Sequence, residues 1–147
     1  MKRLFLSVFM LLVAFATFAQ SRPKLIVGIV VDQMRWDYLH RYYNLYCEGG
    51  FKRLMNEGFD CENTMINYIP AITAVGHTSI YTGTVPSIHG IQANNFLLNG
   101  KMTYCTADST VSGVGTDSKA GQMSPRNMLT TTIGDELKVA TNFKSRV

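Results

Sequence analysis

Two stretches of the chain hold side chains whose types and spacing suit chemistry. AITAVGHTSIYTGTVPSIHGI, from Ala71 to Ile91, gathers hydroxyl groups, two histidines, three glycines and a proline but no acidic residue. Upstream, KLIVGIVVDQMRWDYL supplies a carboxylate, Asp32, at the end of an apolar run. A threonine hydroxyl such as that of Thr73 is a poor nucleophile near neutral pH and needs an activator. His77, one helical turn beyond Thr73, can act as a general base, which is worth roughly 10²–10⁴-fold, or about 3–5 kcal/mol. Coordination to zinc does more, because it moves the pKa of bound water from near 15.7 to about 7, a change on the order of 12 kcal/mol. On magnitude the metal route wins. It requires a carboxylate ligand close in space, and Asp32 is the candidate.

A helix that begins at Thr73 adds a second device. Its first N–H groups have no partner within the helix, and its dipole favours an anion such as phosphate or sulfate. Asn94, on the loop after His89-Gly90, is placed to donate its amide to a non-bridging oxygen of the same anion. Taken singly, each residue has a commoner structural use. Thr73 and Asp32 suit helix N-caps, His77 and His89 suit hydrogen-bonded structural roles, and Asn94 suits a turn. Only the combination carries a functional claim.

The elements that must position these groups read as α/β. LIVGIVV, residues 25–31, is continuously apolar and β-branched, as in a parallel strand covered on both faces. Asp32 then sits at a strand's carboxyl end, where such sheets place their functional groups. A helix is expected from Gln33 to about Tyr43, and a shorter one over FKRLMNEG with Gly58 as C-cap. FDCENTMINYI reads as a second strand leading to Pro70. Thr73 to about Tyr81 reads as a helix closed by Thr82-Gly83. Asn99-Gly100, between apolar runs, signals a two-residue hairpin. Residues 106–123 form a long polar loop, and Ser124-Pro125 is expected to open a helix running through MLTTTIGDELKVA. With so few strands, one sheet edge would be left open, so the expectation is the incomplete N-terminal part of a doubly wound parallel-sheet domain.

Lys2, Arg3 and the apolar run from Leu4 to about Phe18 read as a signal peptide covering residues 1–19, with cleavage before Gln20. The run is shorter than the roughly 20 residues a membrane span needs, so no integral membrane segment is expected after cleavage and the mature chain reads as periplasmic or secreted. Losing Lys2 and Arg3 lowers the formal net charge from +4 to +2, too weak and scattered for a nucleic-acid binder. A hydrophobic fraction of 46% suits a buried core. Cys47, Cys61 and Cys105 match no zinc or redox spacing; one disulfide, or three buried thiols, are both open.

VDQMRWDYL, the Thr-x-x-Gly-His-Thr helix start, TGTVPSIHGI and the asparagine shortly after it together resemble the alkaline phosphatase superfamily. The similarity runs from Lys24 to about Asn95 and is strongest to its phosphodiesterase/nucleotide pyrophosphatase branch and its periplasmic PafA-type phosphatases. The resemblance implies a doubly wound α/β domain with two zinc ions acting on small phosphate esters. Asp32 would be a zinc ligand. Thr73 would ligate zinc and act as the nucleophile, forming a phospho-enzyme. Asn94 would hold a phosphoryl oxygen. It also implies further Asp and His ligands, and a Lys and an Arg that grip a monoester, beyond Val147; the segment alone is therefore expected to be inactive. A sulfatase is disfavoured because Thr73-Ala74-Val75 lacks the Cys/Ser-x-Pro-x-Arg pattern. A diesterase, or a non-catalytic fragment, remains the alternative.

Overall fold

The computed structural model describes residues 23–147, so the expected signal peptide lies outside the described residues. The chain divides into two units, residues 1–30 and 31–147. In the first unit the described residues carry neither helix nor β-ladder. Leu25, Ile26, Val27 and Ile29 are 70–79% exposed.

The second unit contains five α-helices among the described residues: α1 (Asp37–Arg41), α2 (Phe51–Glu57), α3 (Thr73–Thr82), α4 (Pro86–His89) and α5 (Ile133–Ala140). Strands β1 (Asn95–Leu98) and β2 (Lys101–Tyr104) form an antiparallel hairpin with Phe96 opposite Thr103. Asn99 and Gly100, with φ of 52° and 79°, make the turn as their sequence predicts. Short 3₁₀ turns cover Tyr43–Leu45 and Lys119–Gly121.

Three expectations are corrected. Residues 25–31 and 59–69 form no strands among the described residues, because a strand exists only through ladder hydrogen bonds and neither segment has a partner. The helix expected from Gln33 shrinks to α1 and the 3₁₀ turn, since Gln33 itself adopts a left-handed φ of 56°. Ser124-Pro125 opens no helix. Its serine is engaged elsewhere, and α5 begins after Thr132, whose hydroxyl and backbone N–H pair with Asp135 in a capping box.

Helix α3 does most to place the site. Thr78 and Thr82 donate their hydroxyl protons to the carbonyls of Ala74 and Thr78, both at 2.7 Å, which satisfies these two side chains within the helix. Gly83, at φ 65°, ends it in the left-handed conformation that a glycine adopts without penalty. Val75 is fully buried, and Ile91, Phe96 and Cys105 form a small core with Ala74, Ala93, Leu98 and Met128 against it. Beside this core lies much exposed apolar surface, including Phe59, Met65 and Ile69 at 86–93%. A core this small supports a domain only marginally.

Candidate active site

Asp32 lies in the turn just before α1, and Thr73 is the first residue of α3. The Thr73 hydroxyl donates to Asp32 Oδ2 at 3.3 Å, joining groups 41 residues apart in sequence. His77 Nε2 stands 4.0 Å from Asp32 Oδ1. The commoner structural uses of these two residues are not the ones adopted. The N-cap of α3 is Ile72, not Thr73, and the N-cap of α1 is Trp36, not Asp32; neither cap position makes a side-chain cap bond. Both Asp32 and Thr73 are exposed, so their oxygens are open to a ligand.

Asn94 joins them from the loop before β1. Its side-chain Oδ1 accepts the N–H of Ala74 at 2.9 Å, one of the helix-end donors that has no intrahelical partner. Its backbone carbonyl accepts the N–H of Cys105 at 2.9 Å. With Oδ1 occupied, the carboxamide nitrogen has no protein partner among the described residues. A free N–H₂ group beside the first turn of α3 is what recognition of an oxyanion needs. A Cβ at Gly76 would meet nothing within 4 Å, so this side of the turn is open.

The Asp32 and Thr73 oxygens also meet a geometric test for a metal. Two oxygens on one tetrahedral zinc, each bonded at about 2.0–2.2 Å, stand about 3.3–3.6 Å apart. The observed 3.3 Å fits. They amount to one edge of a coordination sphere, since no group of three or more His, Cys, Asp or Glu able to hold a metal occurs among the described residues.

His89 behaves differently. It is fully buried, and its Nδ1 accepts the N–H of Ile91 at 3.2 Å, which leaves the proton on Nε2 to be donated to Ser79 Oγ at 3.0 Å. Burial lowers its pKa, so the ring is neutral. It ties α4 to α3 and has no lone pair left for a metal. Gly90 follows at φ 81°, and a Cβ there would stand 2.8 Å from Leu129, so the HGI turn requires glycine twice over. Asp108 was not singled out by sequence reasoning. Its only visible signal was a carboxylate beside threonine and serine in the polar loop, a pattern shared with any turn.

With this geometry in place, comparison with solved structures defines the fold. The chain superposes on the crystal structure of wild-type alkaline phosphatase PafA with a TM-score of 0.84 and 58% identity, covering 88% of this chain and 25% of that one. Its fold is accordingly part of an alkaline phosphatase domain. Residues 26–145 match the family described as Type I phosphodiesterase / nucleotide pyrophosphatase, and the chain belongs to that family. It is 59% identical over 134 residues to alkaline phosphatase PafA of Elizabethkingia meningoseptica, which covers 89% of this chain and 24% of the relative. It is also 59% identical over 129 residues to a protein of Myroides odoratus named calcium-transporting ATPase, covering 86% of this chain and 24% of that relative. The chain thus spans about a quarter of the length of the curated relatives it matches.

Proposed function

We propose that this segment carries the nucleophile-bearing part of an exported, zinc-dependent phosphate monoester hydrolase of the alkaline phosphatase type. The observation that supports it most is the convergence of the Thr73 hydroxyl and the Asp32 carboxylate at 3.3 Å on an exposed surface, where neither residue has a structural task. The alkaline phosphatase name of the Elizabethkingia relative and the family match agree with it. The ATPase name of the Myroides relative also denotes cleavage of a bond to phosphorus.

In this reading Thr73 Oγ forms a bond to phosphorus as its proton passes to solvent water, and the bond to the leaving oxygen breaks, with that oxygen taking a proton back from solvent so that no net proton is lost. Water then attacks the phosphothreonine and releases inorganic phosphate and free Thr73. Asn94 donates its amide hydrogen to a non-bridging oxygen, and the unpaired N–H groups at the start of α3 add a positive field where negative charge gathers. Asp32 fixes the Thr73 oxygen before attack. Asp32 and Thr73 would hold zinc, which when bound lowers the pKa of a ligating hydroxyl and neutralises charge on the reacting oxygens. Two ions per complete enzyme need further ligands from elsewhere in the polypeptide. Export rests on the Lys2-Arg3 start and the apolar run after it. No helix among the described residues is long and apolar enough to cross a membrane.

Thr73→Ala in the complete polypeptide tests the assignment through release of p-nitrophenol from its phosphate monoester. Turnover is expected to fall by about 10³-fold or more, as when a covalent nucleophile is removed. Retention of full turnover would refute it. The family description favours one second reading, a phosphodiesterase. Rates on a monoester and a diester with the same leaving group separate the two.

A further inference from the structure

A second constellation centres on a buried carboxylate in the polar loop, that of Asp108. Asp108 is 6% exposed, and its two oxygens accept from three residues. Oδ2 takes the Ser124 hydroxyl at 2.6 Å, while Oδ1 takes the Thr110 N–H at 2.9 Å, the Thr110 hydroxyl, and the Arg126 guanidinium at 3.2 Å. Around it the backbone is clamped. Asp108 N–H donates to Gln122 O, Ser124 N–H donates to Thr106 O, and Ala107 bridges Met123. A buried carboxylate is costly unless it is satisfied, and this one is. The surrounding loop offers little else to hold it: Val114, one of its few apolar residues, is fully exposed.

The clamp leads back to the site through an unbroken series of contacts. Beyond Arg126, the Asn127 carboxamide donates to Cys105 O at 3.1 Å. Cys105 is buried against Ile91 and Phe96, and its N–H holds the backbone carbonyl of Asn94. From that backbone the Asn94 carboxamide reaches Ala74 and the Thr73 end of α3. We propose that Asp108 is a positioning residue for Asn94: by clamping residues 106–108 to 122–126 it holds Asn127 under Cys105, and so fixes where the Asn94 amide points. This rests on the reading of Asn94 as the donor to a phosphoryl oxygen. Asp108 itself touches no reacting atom.

Two amide protons report on Asn94 directly, those of Ala74 and Cys105, since each bonds to it and Ala74 has no intrahelical alternative. Hydrogen exchange on Asp108→Asn is expected to accelerate about tenfold or more at both, with Gly83, at the far end of α3, changing less than about twofold. Unchanged exchange at Ala74 and Cys105, while Thr110 exchanges freely, overturns the proposal. Should Asp108→Asn unfold the chain, Ser124→Ala removes one donor, keeps the carboxylate, and is read against the same two criteria. A kinetic arm uses the complete polypeptide. Asp108→Asn is expected to cost about tenfold in turnover, short of the roughly 10²-fold that a 1 Å misplacement brings, and less than about twofold when Asn94 is already alanine. Equal losses in both backgrounds would mean that Asp108 supports the fold without acting through Asn94. If Thr73→Ala leaves turnover intact, the phosphatase reading fails, and the exchange experiment still decides whether Asp108 positions Asn94.

Discussion

Two aspartates in this chain show opposite uses of the same group. Asp108 is buried, and hydrogen bonds from Ser124 and Thr110, with Arg126 beside them, hold its carboxyl far below the usual carboxylate range. Both of its oxygens are engaged and its side chain is almost closed to solvent. Asp32 has a half-exposed side chain, with one hydroxyl at 3.3 Å and an imidazole at 4.0 Å. The histidines divide in the same way: His89 is buried with both ring nitrogens engaged, whereas His77 faces Asp32 from a partly exposed position. Saturated groups hold the scaffold in register, and groups with unused coordinating capacity mark the face where chemistry can occur.

The strongest way to test this division is to remove an open group that has a second, structural bond. Asn94→Ala takes away both the free amide and the acceptor for Ala74. If the amide binds a phosphoryl oxygen, turnover by the complete polypeptide is expected to drop about 10²–10³-fold, the usual cost of losing one oxyanion donor. Loss of the contact to Ala74 alone is expected to cost only about 1 kcal/mol of stability, like any helix-end donor left without its side-chain acceptor. A drop in activity of only a few-fold would move Asn94 from the open class to the structural one.

The buried side of the comparison is tested through His89. Its pKa is lowered by burial, so the native state holds the neutral ring, while the unfolded chain takes up a proton as pH falls below about 6.5. The stability that His89 contributes is thus complete above that pH and is lost progressively below it. Protonation would also turn Nδ1 into a donor facing the N–H of Ile91. Urea midpoints for the wild-type chain are expected to decline between pH 7.5 and pH 5. His89→Ala is expected to cost about 1–3 kcal/mol at pH 7.5, because Ser79 and Ile91 lose their partner. It should also flatten the pH dependence. An equally steep dependence in the variant would assign the titration to another group.

What the sequence disclosed follows from how local each signal is. Asn-Gly between apolar runs sets a hairpin by its own torsion angles, and Thr82-Gly83 ends a helix in the same way, so both were readable without tertiary information. The pairing of Asp32 with Thr73 was reached from chemistry, a threonine that needs a metal and a metal that needs a carboxylate, and from the resemblance of the whole motif to a known family; no periodicity links residues 41 positions apart. The strands expected at 25–31 and 59–69 have the right composition but no ladder partner among the described residues, and composition cannot supply one. Asp108 escaped notice because its role depends on Ser124 and Arg126 arriving from the far side of a long loop.

The misplaced helix start gives the finest test of local against tertiary control. Ser124-Pro125 has the form of a helix opening, yet the Ser124 hydroxyl donates to Asp108 and accepts the N–H of Arg126, so the cap-like geometry ends within one turn. Thr132, eight residues on, accepts the N–H of Asp135 while Asp135 accepts the backbone N–H of Thr132, and there the helix forms. Thr132→Ala is expected to reduce α5 stability by about 1 kcal/mol, or roughly fivefold in the exchange of its first-turn amides. Ser124→Ala should leave those α5 amides unchanged while loosening residues 106–110. If both substitutions destabilise α5 equally, the two positions belong to one cooperative unit, and the separation between a locally set helix and a clamp held by tertiary contacts disappears.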